Sequence, residues 1–262
     1  MNTTTATRTV GDLLREWRVR RHRSQLDLAL DAGISTRHLS CLETGRAQPS
    51  REMLIRLSNT LDVPLRSRNA LLVAGGFAPM FRERPLDDPQ LAAARAAVDT
   101  ILKGHEPHPA IAIDRHWNLV ATNRAVAPFL VDVAPALHAP PVNVLRLSLH
   151  PQGMAPRIAN LAEWRAHLLH QLRARIALTA DPALIALQET VLGYPAPPPV
   201  SLPPGDAVMI PFRIRVKAGL LSFFTTTMLF GTPVDITLQE LALECFFPAD
   251  AGTAATMRTL VG

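Results

Sequence analysis

The chain has 262 residues, of which 48% are hydrophobic and 19% charged, enough for two domains with buried cores and unlike a disordered tail. Two cysteines exclude a disulfide framework and a four-thiolate zinc site. No stretch approaches a membrane span of about 20 apolar residues, and the first residues lack the apolar core of a signal peptide, so a soluble, cytoplasmic protein is expected. The net charge of +5 is localised: residues 1–75 hold twelve arginines against seven acids and the remainder is balanced, which suggests a polyanionic partner for the N-terminal third.

Residues 10–74 read as a run of short helices. Val10, Leu13, Leu14 and Trp17 recur at helical spacing on one face. Ser24 and Asp27 form the signature of a capping box, and Leu26, Ala29 and Leu30 are expected to face inward from the second helix. Gly33 ends that helix, because glycine accepts the left-handed backbone of a tight turn. Ser35 caps a third helix from Thr36 to about Thr44, stopped by Gly45. Pro49 and Ser50 open a fourth helix, and Pro64 a fifth that ends at Gly75 and Gly76.

The composition then changes. Residues 77–88 look like a connector, and Asp88 and Pro89 start an alanine-rich helix to about Lys103. The β-branched runs 110–114 and 117–122 suggest a hairpin, followed by a helical piece from Asn123 to Leu130. Helices are expected over about 156–179 and 182–192. The proline-rich stretch 195–205 must be a loop. Three strands follow, in VMIPFRIRVKA, LLSFFTTTMLFG and QELALECFFP, and a last helix covers 251–261. The fold class is therefore multidomain, α followed by α+β: a five-helix domain over 1–76, a connector over 77–88 and a second domain over 89–262.

The most specific pattern is SQLDLALDAGISTRHLSCLETGR at 24–46, two short helices joined by a glycine turn. In a helix-turn-helix the second helix enters the major groove of duplex DNA and its first turn meets base edges. The candidate DNA-binding residues on and around it are Ser35, Thr36, Arg37, Ser40 and Cys41. Arg37 is the leading base reader, since its fork can bond guanine O6 and N7 together, and Thr36 can offer its hydroxyl or methyl group. Gln25, at the start of the preceding helix, is placed for a phosphate, and Thr44 and Arg46 flank the far end for the opposite backbone.

The arrangement of Gln25, Gly33, Ser35, Glu43, Gly45 and Arg46 resembles the Xre/Cro/C1-type regulators. That resemblance implies a phosphate role for Gln25 and a structural one for Glu43. The stretches SQLDLALDAGIS, GRAQPSREM, LLVAGGFAP, RPLDDP and DRHWNLVATNRA extend the likeness to the MmyB-like transcription regulators over most of 10–260. The likeness implies a PAS-like second domain, an antiparallel sheet flanked by helices around an apolar cavity that takes a long-chain fatty acid. A fatty carboxylate needs polar partners, for which Asn123, Arg146 and His150 are the candidates, while Trp117, Phe129, Trp164, Leu168 and Phe223 are candidates for the wall.

No catalytic motif stands out. There is no GxGxxG, P-loop, GxSxG or HExxH. Ser201 sits in the proline loop with no arranged base. His167 and His170 have a spacing that can bind a metal but no third ligand in sight, and His105, Glu106 and His108 are a similar small cluster. The expectation is a sequence-specific, homodimeric DNA-binding regulator without a catalytic cofactor or metal, sensing a small apolar ligand. The alternatives are a C-terminal domain that only dimerises and a fused enzyme acting on acyl substrates.

Overall fold

The computed structural model describes residues 8–198, 209–231 and 233–262. Two compact units make up the chain, one of residues 1–84 with 233–239, the other of 85–232 with 240–262. The boundary thus falls inside the stretch read as a connector. A seven-residue segment that the sequence assigns to the second domain belongs to the first unit.

The first unit is built on α1 (Val10–Arg20), α2 (Gln25–Asp31), α3 (Thr36–Glu43), α4 (Arg51–Thr60) and α5 (Leu65–Ala74). Local chemistry sets each start. Thr9 with Asp12 and Ser24 with Asp27 form reciprocal capping boxes, and the hydroxyls of Ser35 and Ser50 accept from the backbone amides of His38 and Met53. Gly33 (φ +65°) and Gly45 (φ +73°) supply the left-handed turns on either side of α3. Leu14, Leu28, Leu39, Leu42, Leu54, Leu57 and Leu71 close the core without exposed surface. Leu26 and Leu30, expected inward, are instead 65% and 77% exposed; Leu28 and Ala29 turn into the core. Seven residues make only two helical turns, and the packing of α3 and α4 selects which stripe is covered.

Gly11 lets α1 lie directly on the end of α3, since a Cβ there would stand 2.6 Å from the Leu42 carbonyl oxygen. The segment 233–239 completes this unit. Buried Asp235 pairs with Arg84 at 2.7 Å, the Ile236 amide donates to the Arg82 carbonyl at 2.9 Å, and the Leu65 amide donates to the Gln239 side chain at 2.8 Å.

The second unit carries α6 (Ala92–Gly104), β1 (Ala110–Ile113), β2 (Leu119–Thr122), α7 (Ala127–Leu130), α8 (Val144–Leu149), α9 (Leu161–Thr179), α10 (Pro182–Leu192), β3 (Phe212–Val216) and β4 (Gly219–Leu229). A five-residue helix, α11 (Ile236–Glu240), then lies between β4 and β5 (Ala242–Pro248), and α12 (Ala251–Val261) ends the chain. The five strands form one antiparallel sheet in the order β2-β1-β5-β4-β3. The hairpin, the three late strands and the last helix all lie where the sequence expects them. Of the proline-rich loop, 195–198 lie outside regular structure, and 199–205, Ser201 included, lie outside the described residues.

Strand alternation divides the sheet into two buried faces. Ala110, Ala112, Leu243 and Cys245 pack with Val98 and Leu102 of α6. Ile111, Ile113, Ala242, Phe212, Ile214, Leu221 and Phe223 face the larger core, shared with α8, α9 and α10.

Candidate nucleic-acid interface and ligand pocket

The outward side of α3 is built by its anchoring. Glu43, 6% exposed, accepts from Arg18 through Nε at 2.6 Å and Nη2 at 2.8 Å, and from the Gln25 side-chain amide at 2.8 Å. One buried carboxylate therefore ties α1, the start of α2 and the end of α3 together, and three charge-assisted bonds offset its desolvation. The bond to Glu43 also raises the Arg18 pKa. Leu39 and Leu42 point inward, Arg37 is exposed, and Thr36, Ser40 and Cys41 are half-exposed. Ser35 is exposed and its hydroxyl serves as the cap of α3.

Most arginines of this unit are engaged internally. Arg20 pairs with Glu16 and Arg23 with Asp31, Arg21 donates to the carbonyls of Leu61 and Asp62, and Arg68 donates to the Val63 carbonyl. Arg37 and Arg46 are exposed, and among the described residues neither guanidinium makes a hydrogen bond or ion pair. Two predicted contacts change character. The Thr44 hydroxyl donates to the Ser40 carbonyl at 2.7 Å, so its proton is already used within the helix end. Gln25 is held by Glu43, which leaves one side-chain N–H to reach outward.

The second unit encloses a pocket of about 90 Å³ on the larger-core side of the sheet. Trp117, Phe129, Trp164, Leu168 and Phe223 all line it, with Ile111, Leu145, Phe212 and Phe246. Asp114 organises the turn between β1 and β2 by accepting from the amides of His116 and Asn118, which delivers Trp117 to the wall. Trp164 and Leu168 are one turn apart on α9, and the Trp164 indole donates to Ser148 of α8 at 3.0 Å.

The three predicted head-group partners do not line the pocket. Asn123 is buried, but its amide is consumed by the backbone of Leu102, His108 and Ala110. Arg146 is on the exposed side of α8. His150 accepts from the Gln152 amide and packs edge-on against Tyr194. No cluster of three His, Cys, Asp or Glu side chains able to hold a metal exists among the described residues. His167 stacks near Trp164 and meets Gln171. No helix of the described residues is long and apolar enough to cross a membrane.

Residues 94–260 match the model of the MmyB-like transcription regulator ligand binding domain, and residues 14–67 match a helix-turn-helix model. The chain belongs to the MmyB-like transcription regulators. A comparison with curated proteins found no match. The Xre-type helix-turn-helix and the helix-flanked antiparallel sheet of this regulator are the two parts that its sequence leads one to expect.

What the sequence reading of this MmyB-like regulator missed is Glu244. It stands on β5 between Ala242 and Phe246, opposite Ile111 on β1, and its side chain contributes to the pocket wall. Burial among apolar groups raises its pKa to about 7, against a smaller opposing effect of Arg175. A signal was present: the strand ALECFFP carries apolar residues on both faces, which makes an acid inside it unusual.

Proposed function

We propose that this DNA-binding regulator senses an acyl-chain ligand of the fatty-acid class, and that occupancy of the pocket changes how a homodimer presents α3 to an operator. The observation that carries the reading is the pocket itself, open inside a domain whose family is defined by ligand binding and walled by aromatic and aliphatic side chains. A water-sized group needs about 10–15 Å³ of such space, so the pocket takes about six to nine chain atoms without rearrangement. At about 0.8 kcal/mol per methylene, that length contributes on the order of 5–7 kcal/mol before ordering costs. A longer chain must run out of the mouth or displace wall residues such as Met154, an unbranched side chain that repacks readily.

Arg37 and Thr36 read bases and Arg46 grips a phosphate. A ligand shifts the balance between two dimer arrangements by no more than its difference in affinity for them. DNA then registers the shift, because recognition helices must lie about one helical turn, or a multiple, apart. The second reading, a domain that only dimerises, is disfavoured by the pocket: leaving about 90 Å³ unfilled costs the fold about 2 kcal/mol with no return. The test is native mass spectrometry of the purified full chain, followed by operator binding with and without decanoate. A bound acyl mass and a changed operator affinity are expected. A pocket that takes no chain at any concentration overturns the reading.

A further inference from the structure

Among the described residues, Glu244 is the one ionisable side chain in the pocket wall. It alternates with Ala242 and Phe246 on the face of β5 that turns to the larger core, while Leu243 and Cys245 turn to the other face. Its register partners are Ile111 of β1, which also lines the pocket, and Thr227 of β4. The Glu244 carboxyl makes no hydrogen bond or ion pair among the described residues.

Few charges stand around it. β1, β2 and β4 carry none, and on β3 Phe212 and Ile214 turn to the core while Arg213 and Arg215 are exposed. On α9, His167 is engaged with Gln171, and Arg175 is the charge that acts on Glu244. Arg175 follows the wall residue Leu168 by about two turns, so both lie on one face of the helix.

A fatty acid whose head group lies at Glu244 brings a second carboxyl to the first. Two neighbouring carboxylates cannot both ionise without penalty, so the pair keeps one proton between them. The resulting O–H···O⁻ bond is charge-assisted, short and about twice as strong as a neutral one. The pair then carries one negative charge instead of two, with the positive charge of Arg175 acting on it from α9.

We propose that Glu244 is the head-group residue of the pocket and holds the carboxylate of a fatty acid through one shared proton, so that the ligand is bound together with a proton taken from solvent. This rests on the acyl-chain reading above and adds how the polar end is held. Burial supports it: with its pKa raised to about 7, Glu244 already carries that proton in more mildly acidic solution.

The test uses the full chain with decanoate and, as an uncharged probe of the same length, decanol. Affinity is read from the intrinsic fluorescence of Trp117 and Trp164, both in the wall, and proton uptake from calorimetry in two buffers of different ionisation heat. Decanoate is expected to bind about tenfold more weakly at about pH 8 than at about pH 6, because only about one-tenth of Glu244 is protonated at the higher value. Close to one proton is taken up per decanoate at about pH 8, and about one-tenth of a proton at about pH 6. Decanol affinity is expected to change by less than about twofold between the two. E244Q, whose amide donates at either pH, is expected to bind decanoate without proton uptake and with the pH effect reduced to within about twofold. The decanol comparison and the proton count need no variant. Equal decanoate affinity at the two pH values, an equal fall for decanol, or a fall that persists in a folded E244Q overturns the proposal and leaves the acyl pocket standing. Failure of both probes to bind at either pH overturns the pocket reading itself and this proposal with it.

Discussion

Arg37 and Arg46 differ from many arginines of the first unit in what surrounds them rather than in their chemistry. Arg18, Arg20, Arg21, Arg23 and Arg68 are held by carboxylates or carbonyls, so their charge is partly neutralised where it stands. Arg37, on α3, and Arg46, just beyond its end, carry no such partner among the described residues. Arg37→Ala is expected to cost about 1–3 kcal/mol at one base position and to relax specificity there, which a mutated-operator series measures; an equal loss on every sequence would remove Arg37 from base reading. Arg46→Ala is expected to weaken binding on all sequences and to lower the salt slope by about one, since one fewer phosphate is neutralised.

Glu244 predicts a pH effect of definite sign. Below about pH 4 the carboxyl is protonated in both folded and unfolded chains and ionisation contributes nothing. Between its ordinary value of 4.5 and about 7 only the unfolded chain releases the proton, so stability falls as pH rises, and the loss is complete above about 7. Glu244→Gln is therefore expected to stabilise the ligand-free protein by about 3 kcal/mol at about pH 8 and to leave it unchanged near pH 4. Denaturant midpoints at the two pH values check this, and a gain that is the same at both would rule out the ionisation account.

Among the elements, α3 owes its exposure to what lies under its far end. Glu43 collects Arg18 and Gln25, and Gly11 allows the helices to touch at the Leu42 and Glu43 carbonyls. A methyl group at position 11 would press on backbone, which cannot rotate aside. Gly11→Ala is expected to destabilise the first unit by about 1–3 kcal/mol although alanine is the better helix former, as thermal unfolding of the full chain would report. A stabilised variant would mean that α1 and α3 do not meet closely. The β5 strand plays the corresponding role in the second unit. It pairs with both β1 and β4, so Glu244 and Phe246 enter the pocket from the middle of the sheet, where the backbone is least free to move.

For the whole molecule, the chain path matters more than the number of domains. The connection from β4 to β5 passes through the first unit, where Asp235 is 2% exposed and pairs with Arg84. Both strands it joins carry pocket residues, Phe223 on β4 and Glu244 on β5. Under the proposed function, the covalent chain from either strand to this segment is the route that substitution of Asp235 tests. Asp235→Asn is expected to leave ligand affinity and ligand-free operator affinity within about twofold, while reducing the ligand's effect on operator binding toward none; measuring the two affinities with each partner present gives the coupling free energy. Undiminished coupling would place the route elsewhere.

The helices of the first unit, their caps and their turns were legible in the sequence because they depend on residues within one or two turns: a serine three places before an aspartate, a glycine after the last apolar position. The hairpin and the three late strands were legible for the same reason. The five aromatic and aliphatic wall residues could be chosen from their character alone, since large apolar groups have few other places to go. Arg146, His150 and Asn123 could not be sorted in that way. Whether a polar side chain reaches a cavity depends on how α8 is rotated and on which backbone groups stand nearby, and both are set by elements far away in the chain. The tertiary structure likewise decided the strand order, the membership of 233–239, which arginines are held internally and the acid among the pocket residues. Local geometry follows from neighbours in sequence, whereas desolvation follows from whatever the rest of the fold brings into contact.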